Sequence, residues 1–296
     1  MTARSADPWP TFQHEAMATE FSLTIAGRPV EYARQAAAAA WRELDRLESE
    51  LSRYVESSDI ARANRLARGG AVTIGEDAMQ CLLTAARISA ATDRAFDPSY
   101  GSRRAAGQPF DDALFALDPV THTLTSLTEH LHLDLGAVGK GYALDVMGAL
   151  LREWDITSAG LQSGSSTVQA LDAPPGEDGW PIGLGEGESR RVISLARRAL
   201  SGSGLAVKGE HLIDPRTGEP AQRRERVWAF AATGAQADAL STAFFVMRDG
   251  EIADFCRAHP DVGAVLATPA GSLAAYGDVP ADLLKATNTK PGRSPR

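Results

Sequence analysis

The sequence predicts an α+β fold with mixed, largely antiparallel sheets and packed helices. Strand-like and helix-like segments are interspersed along the 296 residues without a regular βαβ period, which disfavours a doubly wound parallel sheet. The hydrophobic content of 44% is enough for a globular core. We expect a single domain over residues 14–284, which could consist of two intimately packed subdomains, with a disordered lead at 1–13 and a disordered tail at 285–296.

Hydrophobic periodicity predicts the elements in order. A strand at 21–25 turns at Gly27-Arg28-Pro29 and leads into a long amphipathic helix from Val30 to Leu51, whose apolar residues recur every three or four positions. Further helices are expected at 76–91, 142–151, 238–247 and 252–258. Further strands are expected at 123–127, 131–135, 180–184, 191–195, 227–232, 263–267 and 271–276.

Composition excludes some classes of protein. A net charge of −8, with only short basic clusters, argues against nucleic acid as the main partner. Cys81 and Cys256 each lie in an apolar, helix-like stretch, which is typical of buried free thiols. The sequence has no signal-peptide core, no lipid-attachment cysteine near its start and no apolar run of transmembrane length, so we expect a cytoplasmic protein without a membrane segment.

The most informative motif is D-L-G-A-V-G-K-G-Y-A-L-D, from Asp134 to Asp145. A strand, a glycine turn and a helix start would together form an anion-binding cradle with Lys140 at its mouth. The Walker pattern does not fit, because it needs a glycine where Asp134 stands and a Ser or Thr where Gly141 stands. The glycine spacing also excludes the dinucleotide fingerprint. The alternative is a tight turn that carries a surface lysine.

Three other segments hold candidate residues. Asp238 and Thr242 are four apart, so a helix would place both oxygens on one face, where Mg²⁺ could bind; alternatively, Asp238 is only a helix N-cap. The Asp-Pro and Thr-Gly pairs within residues 211–218 predict a turn that holds Arg216, with a purely structural loop as the alternative. Residues 94–98 form another turn, in which Asp97 could cap the turn or bind a ligand.

Taken in order, these segments resemble the ApbE family, the FAD:protein FMN transferases. Met17-Ala18-Thr19 and the runs at 51–54 and 59–64 belong to the same pattern, which extends from residue 17 to residue 276. The resemblance implies an ApbE-like (T-fold-like) architecture. It also implies Mg²⁺-dependent transfer of FMN from FAD to a threonine hydroxyl of an acceptor redox protein, with release of AMP.

The resemblance further implies the residues of the site. Magnesium would be held by the backbone oxygen of Ala137 and by the side chains of Asp238 and Thr242. Lys140 would add a point charge beside the phosphates, Tyr54 and Phe96 offer ring faces for a flat ligand ring, and His211 is the candidate acid or base. The residues expected to line the FAD site are Met17, Tyr54, Ala95, Phe96, Asp97, Asp134 and Lys140, with Leu212 or Ile213 nearby.

One segment departs from the family pattern. Family members generally carry Asn-x-Gly-Gly-acid after the lysine helix, whereas residues 162–166 read Gln-Ser-Gly-Ser-Ser. The loss of a glycine and a carboxylate would alter either the acceptor-facing loop or the surroundings of the metal. Two alternatives therefore stand beside the transferase: an FAD pyrophosphatase that releases FMN and AMP, and a non-catalytic flavin-binding protein.

Overall fold

A computed structural model of the chain describes residues 9–106, 112–185, 190–204, 213–221, 224–267 and 273–283. The helices are α1 Val30–Leu51, α2 Asp59–Ala63, α3 Glu76–Ala91, α4 Tyr100–Ala106, α5 Gly139–Glu153, α6 Gly234–Val246 and α7 Asp249–Ala258. The strands are β1 Thr11–Ala16, β2 Thr19–Ile25, β3 Ala71–Thr73, β4 Phe115–Asp118, β5 Thr123–Ser126, β6 Ala159–Ser163, β7 Thr167–Ala170, β8 Trp180–Leu184, β9 Arg191–Leu195, β10 Arg198–Gly204, β11 Arg226–Ala231, β12 Gly263–Ala267 and β13 Leu273–Gly277.

An eight-stranded sheet forms the centre of the fold, with the strand order β1-β2-β6-β7-β10-β11-β12-β13. A three-stranded sheet has the order β3-β5-β4, and β8 pairs with β9 in a separate hairpin. Every strand pair in the described part of the chain is antiparallel. The predicted α+β class with largely antiparallel sheets is therefore confirmed.

The two faces of the large sheet are covered by different apolar layers. Along β11, Val227, Ala229 and Ala231 pack in the core that the sheet shares with α1, α3, α5 and α6. The alternate residues Trp228 and Phe230 pack with the β8–β9 hairpin. This division follows from strand geometry, since successive side chains point to opposite faces of a sheet. Both faces are thus buried, and the helices that carry the candidate motifs lie together on one of them.

The long periodic helices occur where they are predicted. Helices α1 and α3 begin and end at the predicted residues, because each has one buried apolar face and one polar face. Cys81 in α3 and Cys256 in α7 are buried free thiols, as expected. Among the helices described here, none is long and apolar enough to cross a membrane.

The expected disordered lead is wrong for residues 11–13, which belong to strand β1. This strand pairs with β2 in continuous register from Thr11 opposite Thr24 to Ala16 opposite Thr19. As an edge strand with mostly exposed or half-buried side chains, it lacks the apolar alternation that identifies a strand in a sequence. The predicted tail at 285–296 lies outside the described residues.

The strand expected at 131–135 is also wrong, although these residues are described. Leu131, Leu133 and Leu135 are buried, so the alternation reports real burial. The backbone hydrogen bonds of this segment, however, go to a side chain and to a loop instead of to a neighbouring strand. The amide of Asn64 bonds both the N–H and the C=O of Leu133, at 2.7 and 2.9 Å, and the N–H of Asp134 donates to the carbonyl of Pro98 at 2.9 Å.

Helices α5 and α6 cross with their backbones in contact. A Cβ atom at Gly141 of α5 would lie 2.1 Å from the carbonyl oxygen of Gly234 in α6, and one at Gly234 would lie 2.5 Å from the oxygen of Gly141. Only glycine fits at either position. This contact brings together the first turns of the two helices, although the two glycines are 93 residues apart in the sequence.

Each of these helices places a carboxylate at the N-terminus of the other. Asp145 of α5 accepts hydrogen bonds from the backbone N–H groups of Gly234 and Ala235, at 2.6 and 2.9 Å. Asp238 of α6 accepts from the N–H of Gly141 at 3.3 Å. Helix N-termini expose unpaired N–H groups with partial positive charge, so both carboxylates are electrostatically favoured there.

We expect Gly141→Ala to lower the free energy of unfolding by about 3 kcal/mol or more, because the new methyl group would meet backbone rather than a movable side chain. The matched control is Gly139→Ala in the same helix, whose Cβ would lie 3.6 Å from the Cβ of Leu135, an ordinary contact. We expect the control to change stability by no more than about 1 kcal/mol. Urea unfolding measures both, and equal stability of the two variants would contradict the close helix contact.

Asp145 should make stability depend on pH. Burial raises its pKa from 3.8 to about 6, against the lowering effect of its two backbone hydrogen bonds. The folded protein therefore binds this proton more tightly than the unfolded chain does. Its contribution to stability is fully present below about pH 4 and is lost as the pH rises through about 6. At about 1.4 kcal/mol per pKa unit, the loss is on the order of 3 kcal/mol.

We therefore expect Asp145→Asn to flatten the decline in unfolding free energy between about pH 4 and pH 6. Asp254→Asn is the control, because Asp254 is 72% exposed on α7. Urea unfolding across this pH range compares the slopes. An unchanged slope in Asp145→Asn would show that another group causes the pH dependence.

Candidate functional site

Two cavities open side by side at the N-terminal end of α5. The first, of about 410 Å³, is lined by Met17, Tyr54, Asp134 and Lys140 among others. The second has about 460 Å³, and Asp134 and Gly136 line both. The predicted site residues that line the second cavity are Ala95, Phe96, Asp97, Asp134, Ala137, Ile213 and Thr242. Asp238 is buried nearby, with a carboxylate oxygen 4.0 Å from the ammonium of Lys140.

Two of the predicted residues fall outside the described part of the chain. These are His211, the candidate acid or base, and Leu212, a candidate FAD contact. Their roles stay predictions. Ile213 begins the next described segment and forms a bridge with Pro220 at the edge of the second cavity.

The turn before α5 is held by its own polar groups. One carboxylate oxygen of Asp134 accepts from the N–H of Gly136 at 2.8 Å. The ammonium of Lys140 donates to the carbonyl of Gly136 at 2.5 Å. Gly139 and Lys140, at the start of α5, line the first cavity, and the ammonium of Lys140 is held beside Gly136, which lines both cavities. The positive charge of Lys140 suits an anion. The N–H groups of Gly139 and Gly141 already donate to the protein, so the anion-binding cradle stays a prediction.

Arg53 is a residue that the sequence interpretation missed. It lines the first cavity, and its Nε lies 3.1 Å from the second carboxylate oxygen of Asp134. Its guanidinium also lies 4.2 Å from the centroid of the Tyr54 ring, a cation–π contact. The signal in the sequence that could have identified Arg53 as a site residue is its position directly before Tyr54. The cavity therefore has a second cation besides Lys140.

The rings of Tyr54 and Phe96 differ in how much of their surface is exposed. Tyr54 is 78% exposed at the cavity wall, so a flat ring could stack on it. Phe96 is 3% exposed and its side chain belongs to the hydrophobic core. Phe96 nevertheless lines the second cavity, so its stacking role stays a prediction that depends on the small part of the ring that is exposed.

Asp97 caps its own turn. One oxygen accepts from the N–H and the hydroxyl of Ser99, at 2.8 and 2.7 Å, and the other accepts from Nε of Arg103 at 2.7 Å. Both partners of this ion pair are nearly buried. The capping alternative is confirmed, and Asp97 shapes the wall of the second cavity through the loop that it holds.

Both cavities are bordered by turns in which consecutive non-glycine residues have left-handed backbone angles. The φ values are 50° at Met17 and 57° at Ala18, and 48° at Asp93 and 58° at Arg94. The first pair connects β1 to β2 as a two-residue hairpin, a position where Asn-Gly is normally preferred. Such conformations cost about 1–2 kcal/mol per residue and cluster at ligand sites. Strained turns therefore place Met17 and the 95–98 loop at the cavity walls.

The geometry excludes Asp238 as the N-cap of its helix. Thr233 caps α6 by accepting from the N–H of Gln236 at 3.2 Å, and Asp238 lies in the second turn. Asp238 is only 2% exposed. Its hydrogen-bond contacts are long: 3.3 Å to the N–H of Gly141 and 3.4 Å from the hydroxyl of Ser201. A buried carboxylate with such contacts retains capacity for a cation.

The residues around Asp238 fit a hard divalent cation. Thr242 follows Asp238 by one helical turn and lines the second cavity together with Ala137. A carboxylate, a hydroxyl and a backbone carbonyl are oxygen donors of the kind that Mg²⁺ binds, with water and phosphate completing its shell. Within the described ranges no cluster of three or more Asp, Glu, His or Cys side chains could hold a metal, so a cation here depends on this mixed set.

The Asp-Pro-x-Thr-Gly segment is a turn, as predicted. The N–H of Gly218 donates to the carbonyl of Asp214 at 2.8 Å, and Gly218 has a φ of 74°. Arg216 is not an exposed arginine. Its guanidinium donates to the Asp214 carboxylate at 2.8 and 2.9 Å and reaches Glu251 of α7 at 3.2 Å. Arg216 therefore has a structural role in the loop, as the alternative interpretation states. Ile213 and Pro215 line the second cavity.

The departing segment 162–166 forms the end of β6 and the turn to β7. Its turn packs against the start of β2, since the N–H of Gly164 donates to the carbonyl of Glu20 at 2.8 Å. A Cβ at Gly164 would lie 2.6 Å from Oγ1 of Thr19, and its φ is 53°. The segment therefore lies beside the β1–β2 turn that carries Met17.

Comparison with known proteins gives a consistent result. A FAD:protein FMN transferase from Treponema pallidum is 30% identical over 176 residues, which cover 50% of this chain and 47% of that protein. A FAD:protein FMN transferase from Escherichia coli K12 is 23% identical over 274 residues, covering 79% of this chain and 77% of that protein.

The likeness extends to structure. The flavin transferase ApbE from Vibrio cholerae superposes with a TM-score of 0.78 at 17% identity, covering 91% of this chain and 97% of that one, and so has the same fold. The sequence model of the ApbE family matches residues 17–266. This match covers most of the chain, including the Asp134–Asp145 and Asp238–Thr242 motifs, and the chain therefore belongs to the ApbE family.

Proposed function

We propose that this protein is a Mg²⁺-dependent FAD:protein FMN transferase, which moves the FMN portion of FAD to a threonine hydroxyl of an acceptor redox protein and releases AMP. The supporting observation is the junction of α5 and α6, where the Asp134–Lys140 turn meets Asp238. The names of the family relatives from Treponema pallidum and Escherichia coli support the same activity.

FAD suits the shape and charge of the two cavities. It is an elongated molecule with two flat ring systems joined through a diphosphate. Two cavities of about 410 and 460 Å³ that share a wall could each accept one end. The diphosphate would then lie at the shared wall, near Lys140 and the first turn of α5. Tyr54 offers its exposed ring to the flat group in the first cavity.

In the proposed reaction the threonine oxygen attacks the phosphorus of the FMN portion, and the bond from that phosphorus to the oxygen of AMP breaks. A bound magnesium ion would stabilise charge on the diphosphate oxygens as that bond breaks. Asp238 and Thr242, with the carbonyl of Ala137, would hold the ion. Lys140 would offset charge on the same phosphates, and His211 is the candidate to take the proton of the threonine hydroxyl.

An FAD pyrophosphatase is the first alternative, and it differs only in the attacking group. Incubation with FAD and Mg²⁺ without an acceptor separates the two. A pyrophosphatase releases free FMN and AMP without an acceptor. The transferase releases AMP only when a threonine-bearing acceptor is added, and the FMN then stays covalently bound to that acceptor. A non-catalytic flavin-binding protein, the second alternative, would bind FAD and release neither product.

We expect Asp238→Ala to abolish Mg²⁺-dependent turnover while part of the FAD binding remains, because Lys140, Arg53 and Tyr54 are unchanged. Turnover is measured as a fluorescent, covalently flavinylated acceptor band, and FAD binding by titration calorimetry. Asp254→Ala, at an exposed position of α7, is the matched control and should retain full activity. Equal activity of Asp238→Ala and the control would remove the metal assignment.

A further inference from the structure

A line of hydroxyl groups, which are buried except at Ser166, connects the β6–β7 turn to Asp238. Oγ of Ser166 lies 3.4 Å from Oγ1 of Thr167, which lies 3.0 Å from Oγ of Ser201 in β10. Oγ of Ser201 donates to a carboxylate oxygen of Asp238 at 3.4 Å. Thr167 and Ser201 are opposite each other in the β7–β10 register, so the sheet itself sets this contact.

The donor and acceptor properties of these groups determine the direction in which the hydrogen bonds are donated. A carboxylate accepts hydrogen bonds but does not donate them, so Ser201 must use its single proton toward Asp238. Thr167 must then donate to Ser201. The oxygen of Thr167 is left to accept from Ser166, whose hydroxyl also contacts the carbonyl of Ser163 at 3.5 Å. Hydroxyl groups aligned in this way polarise one another, which strengthens the last bond of the chain.

The line is well placed to orient Asp238. Thr167 and Ser201 are fully buried, so water does not compete for their hydroxyls, whereas Ser166 is half-buried at the turn. The bond from Ser201 reaches one carboxylate oxygen, Oδ1, and the N–H of Gly141 contacts the other, Oδ2. Asp238 is therefore held from both sides, with Oδ2 on the side of Lys140.

We propose that Thr167 and Ser201 are positioning residues that orient the Asp238 carboxylate for cation binding. This inference rests on the proposed function, in which Asp238 is a ligand of the metal. It also gives the departing 162–166 segment a role. Ser166 stands where the family pattern has an acid, and here a chain of neutral hydroxyls leads from that position to the metal-binding carboxylate.

The test measures binding of Mn²⁺ to the full-length protein by electron paramagnetic resonance, with thermal melting to verify folding. We expect Ser201→Ala and Thr167→Val to weaken Mn²⁺ binding about tenfold, the size typical for loss of a group that orients a metal ligand. Thr167→Ser keeps the hydroxyl and should restore binding to within about twofold of wild type. Ser201→Ala alone decides the outcome if Thr167→Val does not fold.

Ser203→Ala is the matched control. Ser203 is in the same strand as Ser201 and equally buried, but its hydroxyl does not contact the carboxylate. It contacts Ser241 at 2.9 Å and reaches Ser201 only through Ser241, which lies 3.3 Å from Oγ of Ser201. We expect this variant to bind Mn²⁺ within about twofold of wild type. Equal effects of Ser201→Ala and Ser203→Ala would overturn the proposal, as would no effect of Ser201→Ala.

Asp238→Ala separates this proposal from the proposed function. If it removes Mn²⁺ binding while Ser201→Ala does not weaken it, Asp238 is a metal ligand and the positioning role of the hydroxyls is wrong. If Asp238→Ala binds Mn²⁺ as wild type does, the metal assignment itself fails, and the positioning proposal fails with it.

Discussion

The backbone contact between α5 and α6 at Gly141 and Gly234 determines where the candidate site can form. It places the first turns of two helices against each other, at a distance that no larger residue permits. The Asp134–Lys140 turn leads directly into one helix, and Asp238 lies one turn into the other. If the helices separated by the width of a methyl group, the 4.0 Å contact between the ammonium of Lys140 and the carboxylate of Asp238 would be lost. The close packing of α5 against α6 in the core therefore determines where the candidate site residues lie.

Two buried carboxylates at this junction differ in how well the protein satisfies them. Asp145 accepts two short hydrogen bonds from the N-terminus of α6 and acts as a structural cap. Asp238 has contacts of 3.3 and 3.4 Å and a lysine 4.0 Å away. Because burial penalises an incompletely paired charge, Asp238 has more to gain from a cation than Asp145 does. The same residue type therefore caps a helix at one position and, in the proposed function, would bind the metal at the other.

The sequence predicts the amphipathic elements well and the small-residue strands poorly. Helices α1 and α3 match to the residue because one apolar stripe determines each. Strands β6, β7 and β10 went unpredicted, because glycine, serine and alanine carry little apolar alternation, and because β7 and β10 are mostly buried on both faces. In the site, each motif is visible locally. The meeting of Gly141 with Gly234, and of Ser201 with Asp238, depends on sheet order and helix crossing, which no spacing along the chain reveals.

A crystal structure of the protein with FAD and Mn²⁺ would test the central claim most directly, because the anomalous signal locates the ion independently of the flavin. We expect the manganese peak beside the carboxylate of Asp238, within coordination distance of Thr242 and the carbonyl of Ala137. We expect the FAD diphosphate to lie next to it at Lys140. A manganese peak away from the α5–α6 junction, or FAD bound outside the two adjoining cavities, would contradict this account.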